Sequence, residues 1–130
     1  MAQTFTFELV SPEKVLLSGE AEQVMLPGSE GDMTVMPGHA PLVATLRPGL
    51  VDAVLGGGSK ASVFVRQAFV QVGPQRVTVL AEKAIDLTDL KGAALSDELS
   101  KAEGELAAAK DDDERLLANQ AIDTLSRLRA

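Results

Sequence analysis

The chain has 130 residues and contains no Cys, Trp or Tyr, which excludes disulfide stapling, zinc–thiolate centres and base stacking on Tyr or Trp. The net charge is −7, placed as six basic and eight acidic residues over 1–85 and six basic and eleven acidic over 86–130. Neither portion carries a basic stripe, so a phosphate backbone would be repelled and nucleic acid is not an expected partner.

Thr4-Phe-Thr-Phe-Glu-Leu9 alternates, with Phe5, Phe7 and Leu9 on one face, and predicts a half-buried strand. Ser11-Pro12 ends it. Val15–Leu17 predicts a second strand, broken at Gly19, and Ala21–Leu26 a third, stopped by Pro27-Gly28. Met1–Phe7 has neither the basic region nor the apolar core of a secretory signal. No apolar run approaches the ~20 residues needed to span a bilayer, so the chain is expected to be soluble or peripherally attached.

Residues 28–49 are dense in Gly and Pro: Gly28, Gly31, Gly38 and Gly49, with Pro27 just before and Pro37, Pro41 and Pro48 within. Such a segment cannot be a helix. It predicts two short strands, near Met33–Met36 and Leu42–Leu46, joined by a shaped loop that holds His39, the single histidine. Leu50–Leu55 and Ser62–Arg66 flank Gly56-Gly-Gly-Ser-Lys-Ala61 as a hairpin. Ala68–Val72, a turn at Gly73-Pro-Gln-Arg76 and Val77–Ala81 complete the β portion. About ten short strands with frequent turn signals predict an antiparallel β-sandwich or flattened barrel over residues 1–84.

After Lys83 the pattern changes. Leu95, Leu99, Ala102, Leu106 and Ala109 recur at helical spacing, with Asp86 or Thr88 able to cap the start. Lys110-Asp-Asp-Asp-Glu114 interrupts, and a second helix presents Leu117, Ala121, Leu125 and Leu128. Residues 85–130 therefore predict an antiparallel two-helix hairpin, with helices of about 33 Å and about 25 Å at 1.5 Å per residue. Asp97–Lys101 and Asp123–Arg127 are spaced for acid-first pairs along a helix. The apolar faces are narrow and Ala-rich, and Gly92 and Gly104 each cost the first helix roughly 1 kcal/mol against Ala. Such a hairpin must lean on the sandwich or on another protein, and two resting places would make it a switch.

Four segments invite a chemical reading. His39 has no nucleophile or further metal ligand near it in sequence, which favours a contact or packing role over catalysis or metal binding. Gly56–Lys60 lacks the Gly-Lys-Ser/Thr order of a phosphate loop, since Ser59 separates Gly58 from Lys60 and a strand follows. Asp111–Glu114 lacks the alternate spacing of a calcium loop and suits helix capping instead. No metal is expected. Ser29, Glu30, Gly31 and Asp32 place two acids on a glycine-flanked turn, which serves equally as a solvated turn or as a contact for a basic partner.

The runs Gly28-Ser-Glu-Gly-Asp32, Pro37-Gly-His-Ala-Pro-Leu42 and Pro48-Gly49, with Leu9-Val-Ser-Pro-Glu13 and Val77-Thr-Val-Leu-Ala-Glu82, resemble the epsilon subunit of bacterial F-type, proton-translocating ATP synthases. The resemblance covers the whole chain in order. It implies a non-catalytic rotor subunit of the central stalk, peripheral on the cytoplasmic face of the bacterial inner membrane. Its sandwich would join the gamma subunit to the c-ring and so couple rotation to proton flow. Ser29, Glu30, Gly31 and Asp32 would meet the c-ring, and His39, Pro41 and Leu42 would face gamma. The hairpin would reach the alpha/beta hexamer and restrain ATP hydrolysis.

Some members of that family bind ATP through an apolar–Asp–x–x–Arg–Ala motif. Here Leu87-Thr-Asp-Leu-Lys-Gly92 places Thr88 for Asp, Lys91 for Arg and Gly92 for Ala, leaving Asp89 and Lys91 as the nucleotide-contact candidates. No cofactor is expected. The alternative to the rotor subunit is a free-standing β-sandwich adaptor or ligand-binding module.

Overall fold

Alternation along the first strand builds the core. In the computed structural model, which describes residues 3–129, Phe5, Phe7 and Leu9 of β1 (Phe5–Val10) are buried, and Thr6, Glu8 and Val10 are half-buried. Met1, Ala2 and Ala130, which fall within the expected domain bounds, lie outside the described residues. The remaining strands are β2 (Val15–Gly28), β3 (Gly31–Val35), β4 (Leu42–Leu46), β5 (Gly49–Leu55), β6 (Lys60–Val72) and β7 (Arg76–Asp86). Two helices follow, α1 (Gly92–Ala108) and α2 (Asp112–Arg129).

The expected β-sandwich and helical hairpin are both present, with seven strands in place of about ten. Two pairs of predicted strands have merged. Gly19 does not break β2, because it stays in the ladder opposite Phe7. β6 continues in one register against β7 on either side of Gln67, whose positive φ of 53° removes only that residue from the pairing. Gln67 also marks the corner at which β6 passes from β5, paired through Lys60–Val65, to β4, paired through Ala68–Val72. β2 changes neighbours in the same way, from β1 to β3.

The strand order is β1-β7-β6-β4-β2-β3, with β5 bridging β2 and β6 and a further β1–β2 pairing, so the sheet folds back on itself. Pairing is antiparallel except between β1 and β7, which run parallel, a departure from the all-antiparallel expectation. Between the layers lies a core of aliphatic residues and two Phe rings, including Phe7, Leu9, Val24, Leu26, Val51, Val65 and Val70. Burying a side chain of this size contributes about 1.5–3 kcal/mol.

A second core joins the hairpin to the sandwich. Phe64, on the outer side of β6, is fully buried against Leu95, Leu99, Ala102, Ala121 and Leu125, with Leu50 and Ile85 at its edge. This explains why Val63, Phe64 and Val65 are all buried in a strand that elsewhere alternates: here both faces are covered. α1 and α2 have 17 and 18 residues, about 26 Å and 27 Å, so the first helix is shorter than expected. Asp86 Oδ1 accepts from the Thr88 amide at 2.9 Å and the Thr88 hydroxyl at 2.8 Å, holding a turn where helix was expected. Lys91 occupies the cap position without a side-chain cap, and Gly92 begins α1 with φ 55°. On α2 the buried stripe runs through Ala118, Ala121 and Leu125, whereas Leu117 is 45% exposed, one position off the expected face.

Candidate functional site

The Ser29–Asp32 turn is a tight reversal between β2 and β3, with Gly28 opposite Gly31 and Pro27 opposite Asp32. Gly31 takes φ 140°, open to glycine alone. Gly28 is needed for space: a Cβ there would overlap the Gly31 carbonyl oxygen and sit 3.2 Å from Met33 Sδ. The end of β4 binds this turn from the side. The Ser29 amide donates to Thr45 O at 3.0 Å and the Arg47 amide to Pro27 O at 2.8 Å. Arg47 Nη1 donates to Gly28 O at 2.6 Å, and Nη2 forms an ion pair with Asp32 Oδ1. Ser29, Glu30, Gly31 and Asp32 are all exposed.

The second candidate segment lies between β3 and β4. Met36-Pro37-Gly38-His39 closes a turn in which the His39 amide donates to Met36 O at 3.2 Å and Gly38 takes φ 80°. Pro at the second position and a positive-φ Gly at the third are the residues of a type II turn. His39 is half-buried, and Nδ1 donates to the Ala40 carbonyl oxygen at 2.9 Å, so the ring is held by its own loop. Pro41 is exposed, and Leu42 packs partly on the sandwich core. The two candidate segments are not brought together: β3 leads away from the first to the second and β4 returns. They stand at opposite ends of these strands, about 13 Å apart along β4 at 3.3 Å per residue.

Between them an apolar groove of about 660 Å³ opens between the outer face of β4 and β6 and the α1–α2 corner. Val43, Phe69 and Leu117 line it, and these are 70%, 40% and 45% exposed. Arg66 and Glu105 lie at its side as an ion pair linking β6 to α1. A deeper link stands nearby. Lys83 Nζ on β7 donates to Glu98 Oε1 on α1 at 2.7 Å, and Lys101 Nζ reaches the other carboxylate oxygen at 3.3 Å. Burial alone would push the Glu98 carboxyl up; the hydrogen bond and charge of Lys83, joined by Lys101, outweigh it and hold the group below the usual glutamate range. Lys101 therefore pairs with Glu98, not with Asp97 as its spacing suggested, whereas Asp123 and Arg127 do pair, at 2.8 Å.

Residues 4–87 match the family model described as ATP synthase, delta/epsilon chain, beta-sandwich domain. An ATP synthase epsilon chain from Parvibaculum lavamentivorans is 46% identical over 129 residues, covering 99% of this chain and 98% of the relative. One from Mesorhizobium japonicum is 41% identical, covering 98% of this chain and 95% of the relative. This chain belongs to the ATP synthase epsilon chain family. Solved structures share the fold at lower identity. A chain of the Euglena gracilis mitochondrial ATP synthase superposes with TM-score 0.74 at 21% identity, covering 97% of this chain and 79% of its own length. One from the Tetrahymena thermophila enzyme superposes with TM-score 0.71 at 11% identity, with 98% of both chains covered.

The epsilon chain is a non-catalytic subunit of ATP synthase. Asp111–Glu114 has a structural use in keeping with this. Asp111 Oδ1 accepts from the Glu114 amide at 2.8 Å and Glu114 Oε1 from the Lys110 amide at 3.1 Å, a capping arrangement at the start of α2. Asp89 and Lys91 are exposed on the connection between β7 and α1, where the Asp89 amide closes a turn onto Asp86 O at 2.9 Å. Among the described residues no helix is long and apolar enough to cross a membrane.

Reading the epsilon sequence alone missed three things. Arg47 was passed over because its work is done 15 and 19 residues away, on Asp32 and Gly28. Val43 and Phe69 resemble ordinary strand residues; the signal was that each falls on the outward phase of its strand. The Arg66–Glu105 and Lys83–Glu98 links cross between the two parts of the chain, and no local spacing announces them.

Proposed function

We propose that the chain is a central-stalk rotor subunit whose sandwich joins the gamma shaft to the c-ring, so that rotation and proton flow stay coupled. The observation that supports this is that two differently built candidate segments stand at opposite ends of β3 and β4. The exposed, acidic Ser29–Asp32 turn suits the polar loops of the c-ring. The Pro37–Leu42 loop, with His39, Pro41 and Leu42, faces gamma, and the exposed Val43 and Phe69 extend that surface along the sheet. Residues 1–84 thus act as the coupling domain. The complex would hold the chain at the cytoplasmic face of the bacterial inner membrane.

Residues 85–130 act as a regulatory element. In the docked position Phe64 and the two cross-links hold the hairpin on the sandwich. Released, it would extend along gamma toward the alpha/beta hexamer and block rotation in the hydrolysis direction. Deletion after Lys83, followed by assay of ATP hydrolysis in the reconstituted complex, tests this: hydrolysis rises if the hairpin restrains it and stays level if the chain only couples. Failure to co-purify with gamma in a stoichiometric complex would overturn the rotor reading as a whole. ATP is not expected to be a ligand, since Lys91 lacks the planar fork of arginine, and submillimolar affinity for the purified chain would overturn that expectation.

A further inference from the structure

We propose that α1 splints a weak corner of the sheet. Arg66 and Lys83 are like charges set directly opposite each other, Glu98 and Glu105 neutralise them from α1, and the position of the hairpin is thereby felt in the strand that carries Phe69. That gamma senses the change rests on the reading of the Val43 and Phe69 groove as gamma-facing; the splint does not.

The corner is a poorly supported stretch of β6. β5 pairs with it only as far as Val65 and β4 only from Ala68 onward, so Arg66 and Gln67 have no partner strand on that side. Gln67 is also missing from the β7 ladder, with a φ of 53° that non-glycine residues adopt infrequently. Arg66 is the last paired residue before this gap, and its partner across the ladder is Lys83. Cross-strand partners point the same way with Cβ atoms about 4.5–5.5 Å apart, and like charges so placed destabilise the pairing. Left bare, the two cations would repel where the ladder is already interrupted.

α1 answers both charges. Lys83 Nζ donates to Glu98 Oε1 at 2.7 Å, and Arg66 forms its ion pair with Glu105. Among the described residues these are the only ion pairs that either cation makes. Glu98 and Glu105 are seven residues apart, two turns along one helix face, or about 10.5 Å at 1.5 Å per residue. One helix therefore reaches both strands at once, β7 through Glu98 and β6 through Glu105. The corner also leads into the groove. Gln67, Ala68 and Phe69 line one wall, and Ala108, Leu117 and Ala118 of the hairpin line the other. When α1 lifts, the groove loses one wall, and the wall that stays loses its splint.

Amide exchange over Val65–Ala68 and Ala81–Lys83 reads the corner, and exchange in β1 checks that the sandwich is folded. Glu98→Gln with Glu105→Gln should speed corner exchange by about threefold to fivefold, the effect of an uncompensated cross-strand pair of like charges. Adding Arg66→Gln should slow it again, and adding Lys83→Gln instead should do the same, because either change leaves a single cation. Salt at about 1 M, with a screening length of about 3 Å, should also slow it in the double variant. In the parent chain Arg66→Gln should loosen α1, since Glu105 loses its partner. Corner exchange that does not rise in the double variant overturns the splint. So does a rise that neither cation change recovers, since uncovering of the strands would then account for it. In titrations against gamma, the double variant should bind about threefold or more weakly, and the added Arg66→Gln should restore part of the affinity. No recovery toward gamma where the corner itself recovers overturns the link to gamma while the splint stands. A parent chain that does not bind gamma overturns the rotor reading instead.

Discussion

Lys83 and Glu98 meet where the sheet hands over to the helices, with Nζ 2.7 Å from Oε1 and the Glu98 side chain only 9% exposed. Glu98 is a buried charge on a hairpin whose other sandwich contacts are apolar or more open, and Lys83 enters from the sheet beneath. Removing the lysine leaves the carboxylate with Lys101 alone, at 3.3 Å and well exposed. Lys83→Met should therefore cost about 1–3 kcal/mol, concentrated in the docking of α1. Replacing both partners by Met and Leu should be close to neutral, because a buried pair is worth little more than apolar residues of similar volume. Chemical denaturation of the single and double variants measures both.

Acid should act through the same group. Its carboxyl titrates lower in the folded chain than in the unfolded one, since Lys83 and Lys101 outweigh the effect of burial. The stabilisation is present above the unfolded glutamate value near 4.3 and is lost as pH falls through the lower, folded value. Exchange protection in α1 should thus be level from about pH 6 to 8 and fall only in acid. Glu98→Gln should remove the part of the acid limb that belongs to this group. A hairpin that loosened near neutral pH would require a different titrating residue.

How far the fold could be read depended on whether the cause was local. Phe5, Phe7 and Leu9 alternate in sequence and are buried as that pattern demands. Asp111 announces a cap because its acceptor serves an amide three residues on. The expected break at Gly19 and the expected gap between Ser62–Arg66 and Ala68–Val72 are both absent because the neighbouring strand, β1 or β7, keeps the chain in line, which local propensity cannot see. The start of α1 was misplaced because Asp86 spends its side chain on a turn at Thr88. Of the candidate site, the Gly and Pro punctuation located both segments, but the clamp from Arg47 became visible only once Gly28 was known to lie opposite Leu46.

Phe64 is the apolar counterpart of the Lys83 link. It is fully buried and faces the helices, so Phe64→Ala removes the centre of the joint between the two parts. A cost of about 3–5 kcal/mol is expected, as for other buried Phe truncations. Its distribution matters more than its size. Amides of α1 and α2 should lose protection, whereas those of β1 and of the Val77–Ala81 part of β7, which surround the separate core of Phe7, Leu9 and Val79, should keep theirs. Equal loss throughout would mean that the hairpin and sandwich unfold as one unit.

Two glycines should respond to alanine with opposite signs. At Gly28 the new methyl would overlap Gly31 O and crowd Met33, so the turn must open, at a cost of about 1–3 kcal/mol. At Gly104, inside α1, nothing lies within 4 Å of the added carbon. Gly104→Ala should stabilise the helix by roughly 0.5–1 kcal/mol through backbone entropy alone. Thermal melts of the two variants against the parent chain check the signs. The second variant also strengthens α1 without touching either cross-link.

Val43 and Phe69 offer the most direct test of the gamma-facing surface. They are 70% and 40% exposed and line one apolar groove, so replacing them by polar residues removes little from the folded chain itself. Val43→Asp with Phe69→Ser should leave the melting temperature within a few degrees of the parent. If gamma covers this face, the double variant loses two apolar contacts and places a charge in a desolvated interface, so affinity should drop by about a hundredfold or more. Titration of the purified variant against gamma measures it. Undiminished affinity would move the gamma contact off this groove and leave the His39 loop to carry it alone.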